Sequence, residues 1–405
     1  MAAPVSSKRA GSARSQRAAQ GAEAKPARNV RQRGQGRGQH EGKPNDPTAS
    51  HLRIGAGYFD GWTPGDWLLL PWAPMNDRLD WRTDGAHWPN RTASRFVAAA
   101  GLRWHVQVAG AGPVLLLLHG TGASTHSWRD LLPLMTQHFT VVAPDLPGHG
   151  FTDPLPRARL SLQGMADAHA ALLEVLQLKP TLAVGHSAGA AILVQMALDQ
   201  HLATQGIVSL NGALLPFGGW AGVLFAPMAR MMTMTPIAAT LFARRARDPQ
   251  AVARLVASTG STIEPAGVAL YQRLMSARGH VAGALNMMAN WQLGPLAARL
   301  PLLKTPLVLV VGENDGTVNP AEAAQVQARV ADALLVRLPD LGHLAHEEAP
   351  GHLAEVITAQ AQALGVLPQP GATQQTATKA TASSVEAAPE TEANPAHNGR
   401  RRENA

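Results

Sequence analysis

The sequence predicts an α/β fold: a mostly parallel sheet covered on both faces by helices, with one helical insertion. Three observations predict it. From Phe96 onward, strand-like and helix-like patterns alternate, as in an α/β sandwich. Several strand-like runs, such as Val114-Leu115-Leu116-Leu117-Leu118, are continuously apolar, as expected of strands buried on both faces. Residues able to do chemistry follow the C-terminal ends of these runs, where open α/β sheets place their sites.

The elements follow in order. Residues 103–109, 114–119, 140–144, 181–186, 206–210, 306–312 and 333–338 read as strands. Helical patterns lie near residues 127–137, 161–176, 188–201, 320–330 and 349–364. The alternation stops between Asn211 and about Leu300. That stretch holds seven of the twelve methionines (Met228, Met231, Met232, Met234, Met275, Met287 and Met288) with Phe217, Trp220, Phe225, Phe242, Tyr271 and Trp291. It reads as a helical lid over residues 212–300, inserted into a core formed by 75–211 and 301–366. Most of its apolar residues pack the lid onto the body. A few line a pocket, where flexible, polarisable methionine suits an irregular apolar guest.

Composition bounds the rest. The chain has 405 residues and no cysteine, which excludes disulfides and thiolate metal sites and fits a reducing compartment. No apolar h-region follows the basic start, and no run approaches the ~20 apolar residues of a membrane helix. The expected location is cytoplasmic, with peripheral membrane contact as the alternative. Residues 1–50 carry ten Lys/Arg and three Asp/Glu, which accounts for the whole net charge of +7. Residues 369–405 balance four against four, so the middle of the chain is neutral and no nucleic-acid partner is expected for the core. By composition both ends, 1–74 and 367–405, read as disordered. Residues 51–74, with Trp62, Trp67 and Trp72, admit three readings: an arm docked on the body, a tryptophan contact with a membrane surface, or sequence upstream of a natural start at Met75. The last is preferred, because regular patterning begins only after Met75.

The chemistry centres on Gly185-His186-Ser187-Ala188-Gly189, between an apolar run and a helical segment. Strand, G-x-S-x-G, helix makes a nucleophile elbow, a sharp turn that lifts a serine hydroxyl out of the sheet. Gly185 and Gly189 leave room for the turn, where a Cβ would strike neighbouring backbone. His119-Gly120-Thr121-Gly122 follows an upstream strand and reads as an oxyanion loop. The backbone N–H groups of Thr121 and Ala188 are the expected donors, and His119 braces the loop. Asp315 follows the strand at 306–312 and is the expected acid. Glu313 is its runner-up, and Asn211, after the preceding strand, is set aside because an amide cannot stabilise an imidazolium as a carboxylate does. His343 is the expected base, with His346 as the alternative. Asp145 and His149 belong to a structural turn and are given no chemistry. No G-x-G-x-x-G opening a helix, P-loop or H-E-x-x-H is present, so no cofactor or metal is implied.

The order Ser187, Asp315, His343 is that of the α/β-hydrolases. Within that fold the chain resembles, from about Leu79 to Leu364, the BchO-type magnesium-chelatase accessory proteins of bacteriochlorophyll biosynthesis. The resemblance rests on Asp80-Trp81, Trp88-Pro89-Asn90-Arg91, Ser94-Arg95-Phe96-Val97, the run from His119 to Arg129, the elbow through Ala190, the run from Leu210 to Phe217, and Asn286-Met287-Met288-Ala289-Asn290-Trp291. It implies a role near magnesium insertion into protoporphyrin, a hydrophobic or tetrapyrrole ligand, and magnesium chelatase subunits as partners. It supplies no reaction, since magnesium chelation needs no serine nucleophile.

Overall fold

A computed structural model of the protein describes residues 78–216 and 236–369. The expectations for Trp62, Trp67, Trp72, Met75, Phe217, Trp220, Phe225, Met228, Met231, Met232 and Met234, and for the C-terminal stretch beyond 369, lie outside the described residues.

Eight strands form one sheet: β1 (Ser94–Ala99), β2 (Leu102–Ala109), β3 (Val114–Leu118), β4 (Thr140–Pro144), β5 (Leu182–His186), β6 (Gly206–Leu210), β7 (Leu307–Gly312) and β8 (Leu334–Leu338). Their order is β1-β2-β4-β3-β5-β6-β7-β8. β2 is antiparallel to both β1 and β4, and every pairing from β4 to β8 is parallel. The strand β1 was not anticipated. It is a half-buried edge strand, and a two-residue hairpin joins it to β2 through Ala100 (φ 52°) and Gly101 (φ 77°), the left-handed pair such turns require.

Both faces of β3 to β7 are covered, which explains their unbroken apolar runs, while the edge strand β8 is only partly buried. Leu116 and Leu118 of β3 pack with α2 (Leu162–Leu176) and α3 (Ala188–Leu198), through Met165, Leu172, Ile192 and Leu193. Leu115 and Leu117 point the other way, toward α1 (Leu131–Met135) and the C-terminal helix (Pro350–Ala363), through Met135, Leu353 and Ile357. Ser161 starts α2 by accepting a hydrogen bond from the Gly164 N–H, 3.1 Å.

Between β6 and β7 lie α4 (Pro236–Arg245), α5 (Pro249–Ala257), α6 (Pro265–Ser276), α7 (Arg278–Ala289) and α8 (Gly294–Arg299). After β7 come α9 (Ala321–Gln327), α10 (Ala345–Glu348) and α11, the C-terminal helix. The insert lies tightly on the body. A Cβ on Gly283 of α7 would come 2.1 Å from the Gly148 carbonyl oxygen, so only glycine permits this approach. Among the described residues no helix is long and apolar enough to cross a membrane.

The Trp88-Pro89-Asn90-Arg91 segment is a brace. Trp88 Nε1 donates to Thr125 Oγ1 (3.1 Å), Asn90 Nδ2 to the Arg129 carbonyl (3.0 Å), and Gln107 of β2 to the Pro89 carbonyl (2.6 Å). It thereby ties the start of the described chain to the segment that follows the loop His119–Gly122.

Candidate active site

Four chain segments meet at the C-terminal ends of β3, β5, β7 and β8. β5 ends at His186, and Ser187 takes φ 51° and ψ −115°, a strained conformation for a residue with a side chain. The surroundings enforce it. A Cβ on Gly185 would lie 2.5 Å from the Ala190 nitrogen, and one on Gly189 2.1 Å from the Leu118 carbonyl oxygen. The Ser187 N–H donates to the Leu210 carbonyl (3.0 Å), and its own carbonyl accepts from the Ala190 (3.2 Å) and Ala213 (3.1 Å) N–H groups. α3 begins at Ala188, and the first N–H groups of a helix have no intrahelical partner.

The loop after β3 runs directly beside the serine: a Cβ on Gly120 would come 3.0 Å from Ser187 Cβ and 2.8 Å from His186 Nδ1. His119 fixes the loop. Its Nδ1–H donates to the Gly120 carbonyl (2.8 Å), and its Nε2 accepts from the Leu146 N–H (2.9 Å). Burial lowers its pKa to about 3, so the ring is neutral at physiological pH. Thr121 lies in this turn, and its hydroxyl approaches Met287 Sδ of α7 at 3.8 Å.

Asp315 and His343 are brought together by β7 and β8. His343 Nδ1 donates to Asp315 Oδ2 at 2.7 Å. The carboxylate is otherwise filled: Oδ1 accepts from the N–H groups of Thr317 (2.7 Å) and Val318 (2.9 Å), and Oδ2 also accepts from Asn211 Nδ2 (2.8 Å). The runner-up acid, Glu313, is exposed and faces Arg337 at 3.5 Å. The alternative base, His346, is buried against Trp128 and His186, and burial lowers its pKa to about 3.

Several positioning residues were not legible as such. Asn211, set aside as an acid, is buried in the left-handed region (φ 47°) and hands its amide to Asp315. The loop between α5 and α6 holds both the acid and histidine loops. One carbonyl, that of Thr259, accepts from the N–H of Gly316 (3.0 Å) and of His343 (3.2 Å). Ser261 Oγ accepts from the Leu344 N–H (2.8 Å), and Glu348 accepts from Gly342 (2.8 Å) and Thr262 (3.1 Å) N–H groups. Gly260 between them has φ 77°, and a Cβ there would sit 1.8 Å from the Asn314 carbonyl oxygen. Apart from the Gly342–Glu348 bond, which is local, these contacts span 50 residues or more of sequence, so no local motif announces them.

Two buried carboxylates flank the site. Asp145 accepts from His105 Nδ1 (2.8 Å) and from the N–H groups of Thr125 (2.7 Å) and Phe151 (2.9 Å), joining β2 to the loops after β3 and β4. Burial alone would raise its pKa, but His105 and these donors hold it well below the usual carboxylate range. Glu347, four residues beyond His343, pairs with Arg129 and accepts from the Tyr271 hydroxyl of α6 at 2.7 Å. Burial pushes its carboxyl up to about 7 against the pull of both partners.

Comparison with known proteins agrees with this fold. Residues 113–350 match the family model for the alpha/beta hydrolase fold. The chain is 41% identical over 281 residues to the magnesium-chelatase 30 kDa subunit of Rhodobacter capsulatus, covering 69% of this chain and 98% of that relative. It is 26% identical over 255 residues to pyrrolizixenacetamide deacetylase of Xenorhabdus hominickii, covering 60% and 88%. An α/β-hydrolase fold protein from Burkholderia ambifaria shares the fold with a TM-score of 0.57 at 22% identity, over 66% of this chain and 97% of that one. The chain therefore belongs to the α/β-hydrolase family, and within it to the BchO-type group represented by the Rhodobacter magnesium-chelatase subunit.

Proposed function

We propose that this protein is a serine hydrolase acting on an ester or related acyl bond of a hydrophobic or tetrapyrrole substrate. The observation that supports the reading is the 2.7 Å bond from His343 to a fully hydrogen-bonded Asp315, in a loop whose His343 carbonyl lies 2.9 Å from Nε2 of His186, the residue before the strained elbow serine. In this reading His343 Nε2 takes the proton of Ser187 Oγ as the oxygen bonds to the acyl carbon. Asp315 orients the ring and stabilises the imidazolium. The N–H groups of Thr121 and Ala188 receive the developing oxyanion, each donor being worth about 100- to 1,000-fold in rate. The protonated histidine passes its proton to the leaving group, the acyl–oxygen bond breaks, and water activated by the same histidine releases the acid. The insert over residues 212–300 acts as the substrate-binding lid.

The name of the Rhodobacter relative supports a place near the magnesium chelatase step, and the BchO-type resemblance supports bacteriochlorophyll biosynthesis as its context. The same name, a subunit, favours a second reading: a non-catalytic protein that handles a porphyrin or assists the chelatase. The test is the pigment content of a bacteriochlorophyll-producing strain whose only copy carries Ser187→Ala, beside wild type and a deletion. Equal pigment loss in the deletion and in Ser187→Ala supports catalysis, and the accumulated intermediate identifies the substrate. Loss in the deletion alone sinks the hydrolase and leaves the accessory role.

A further inference from the structure

The helix α4 is apolar on the wrong side. Its small residues Ala239 and Ala243 are buried and pack on Val281, Ala282 and Leu285 of α7. Its large ones face out: Ile237 is 62% exposed, Leu241 58% and Phe242 50%. A helix on a water-facing surface arranges these residues in the opposite sense. Ile237 and Leu241 are one helical turn apart, so they stand together on one face with Phe242 beside them. The alanines let α4 lie close to α7 and leave the larger side chains for something outside the described fold.

The charge around this face says what that is. From Gln200 to Arg247 the sequence contains no Asp or Glu. Arg244 and Arg245 close α4, and Arg247 follows in the turn. Across residues 236–257 there are four arginines and one acid, Asp248, which pairs with Arg245 (2.6 Å) and Arg254 (3.6 Å). An apolar helical face rimmed by net positive charge complements a bilayer surface bearing anionic head groups: the side chains enter the acyl boundary while the guanidinium groups meet phosphate.

We propose that the outer face of α4 docks on an anionic phospholipid surface through Ile237, Leu241 and Phe242, with Arg244, Arg245 and Arg247 against the head groups. The proposal does not depend on the hydrolase reading. It makes the insert a point of membrane attachment, so that a lipid-dissolved, apolar ligand meets the protein on the side where the insert lies.

The test is sedimentation of the full-length protein with vesicles of phosphatidylcholine, with and without phosphatidylglycerol. Three forms are compared: wild type, Ile237→Ser/Leu241→Ser/Phe242→Ser, and Arg244→Gln/Arg245→Gln/Arg247→Gln. Wild type binds the phosphatidylglycerol vesicles, and salt weakens the binding. The serine variant binds about a hundredfold more weakly, the loss expected for three partly inserted apolar side chains. The glutamine variant shows a weaker preference for phosphatidylglycerol than wild type. Residues 1–50 carry their own charge of +7 and are untouched in the serine variant, which is therefore the deciding form. Binding unchanged in that variant overturns the proposal and assigns the interaction to the basic N-terminal segment. Absence of wild-type binding overturns it too. So does a lowered thermal midpoint in the serine variant without loss of vesicle binding, because the face is then covered by the protein's own chain.

Discussion

Removing the amide of Asn211 tests whether the buried support of Asp315 is energetically real. Asn211→Gly deletes the 2.8 Å bond to Asp315 Oδ2 and keeps a backbone that accepts φ 47° without strain. A hydrogen bond to a charged acceptor is worth about 1.5–3 kcal/mol, and the extra freedom of glycine in the unfolded chain costs about 0.5–1 kcal/mol. The expected loss is about 2–4 kcal/mol. Asn211→Ala loses the same bond and also the polar side chain that lets asparagine tolerate the left-handed region, so it should be at least as destabilised as the glycine variant. Asn211→Asp sets a second carboxylate against the first, so it is the least stable of the three at neutral pH. Urea denaturation of each variant gives these differences directly. If the proposed hydrolase function holds, hydrolysis of a short ester by the glycine variant should fall by about ten- to a hundredfold in kcat/KM, since His343 is then held by an acid with one fewer restraint. A glycine variant within about 0.5 kcal/mol of wild type would refute the reasoning. Asp315 would then owe its orientation to the Thr317 and Val318 N–H groups alone.

Four further outcomes are expected. Gly260→Ala, which forces a Cβ to 1.8 Å from the Asn314 carbonyl, should cost more than about 3 kcal/mol and separate the acid and histidine loops; unchanged thermal stability would contradict the geometry. Gly189→Ala should be comparably damaging, because its Cβ would meet the Leu118 carbonyl oxygen at 2.1 Å, and soluble expression with a wild-type melting curve would count against the tight elbow. Glu347, raised from 4.5 to about 7 by burial, contributes stability that is complete below pH 4.5 and lost as pH rises through about 7. The difference between wild type and Glu347→Gln should therefore shift by about 3 kcal/mol across that window in urea melts, and a flat difference would show that the raised value is wrong. His119, His280 and His346, lowered by burial to about 3, and His149 and His169, lowered to about 4, act in the opposite sense. Their contribution is complete above pH 6.5 and falls away in acid, by about 2 kcal/mol each at about pH 5. Circular dichroism should show unfolding by about pH 4, and a native spectrum there would mean these rings are solvated.

The strands β3 to β7 were legible because each is buried on both faces, and a run such as Leu115-Leu116-Leu117-Leu118 has no other economical use. The elbow was legible because its glycines answer a local steric demand at Gly185 and Gly189. Pairing of Asp315 with His343 could be anticipated from strand ends and chain order. The hairpin strand β1 escaped because an edge strand needs only half an apolar pattern, and its turn, Ala100-Gly101, lacks the usual Asn or Asp. Asn211 and Thr259 escaped for a different reason. What matters in Asn211 is a donor reaching a residue 104 positions away, and in Thr259 a backbone carbonyl, which the residue type does not encode.

The doubly shared Thr259 carbonyl has a consequence for how such a protein can diverge. An insertion between two strands is ordinarily exchangeable, because the body keeps its geometry whatever is placed there. Here the segment from Ser258 to Thr262 completes the hydrogen bonding of the Gly316, His343 and Leu344 backbone, so structurally it is part of the body and not of the helices around it. A chimera that takes a new insert from a relative should keep these five residues and splice on either side of them. Exchange of the whole insert would also remove the partners that set the position of the histidine.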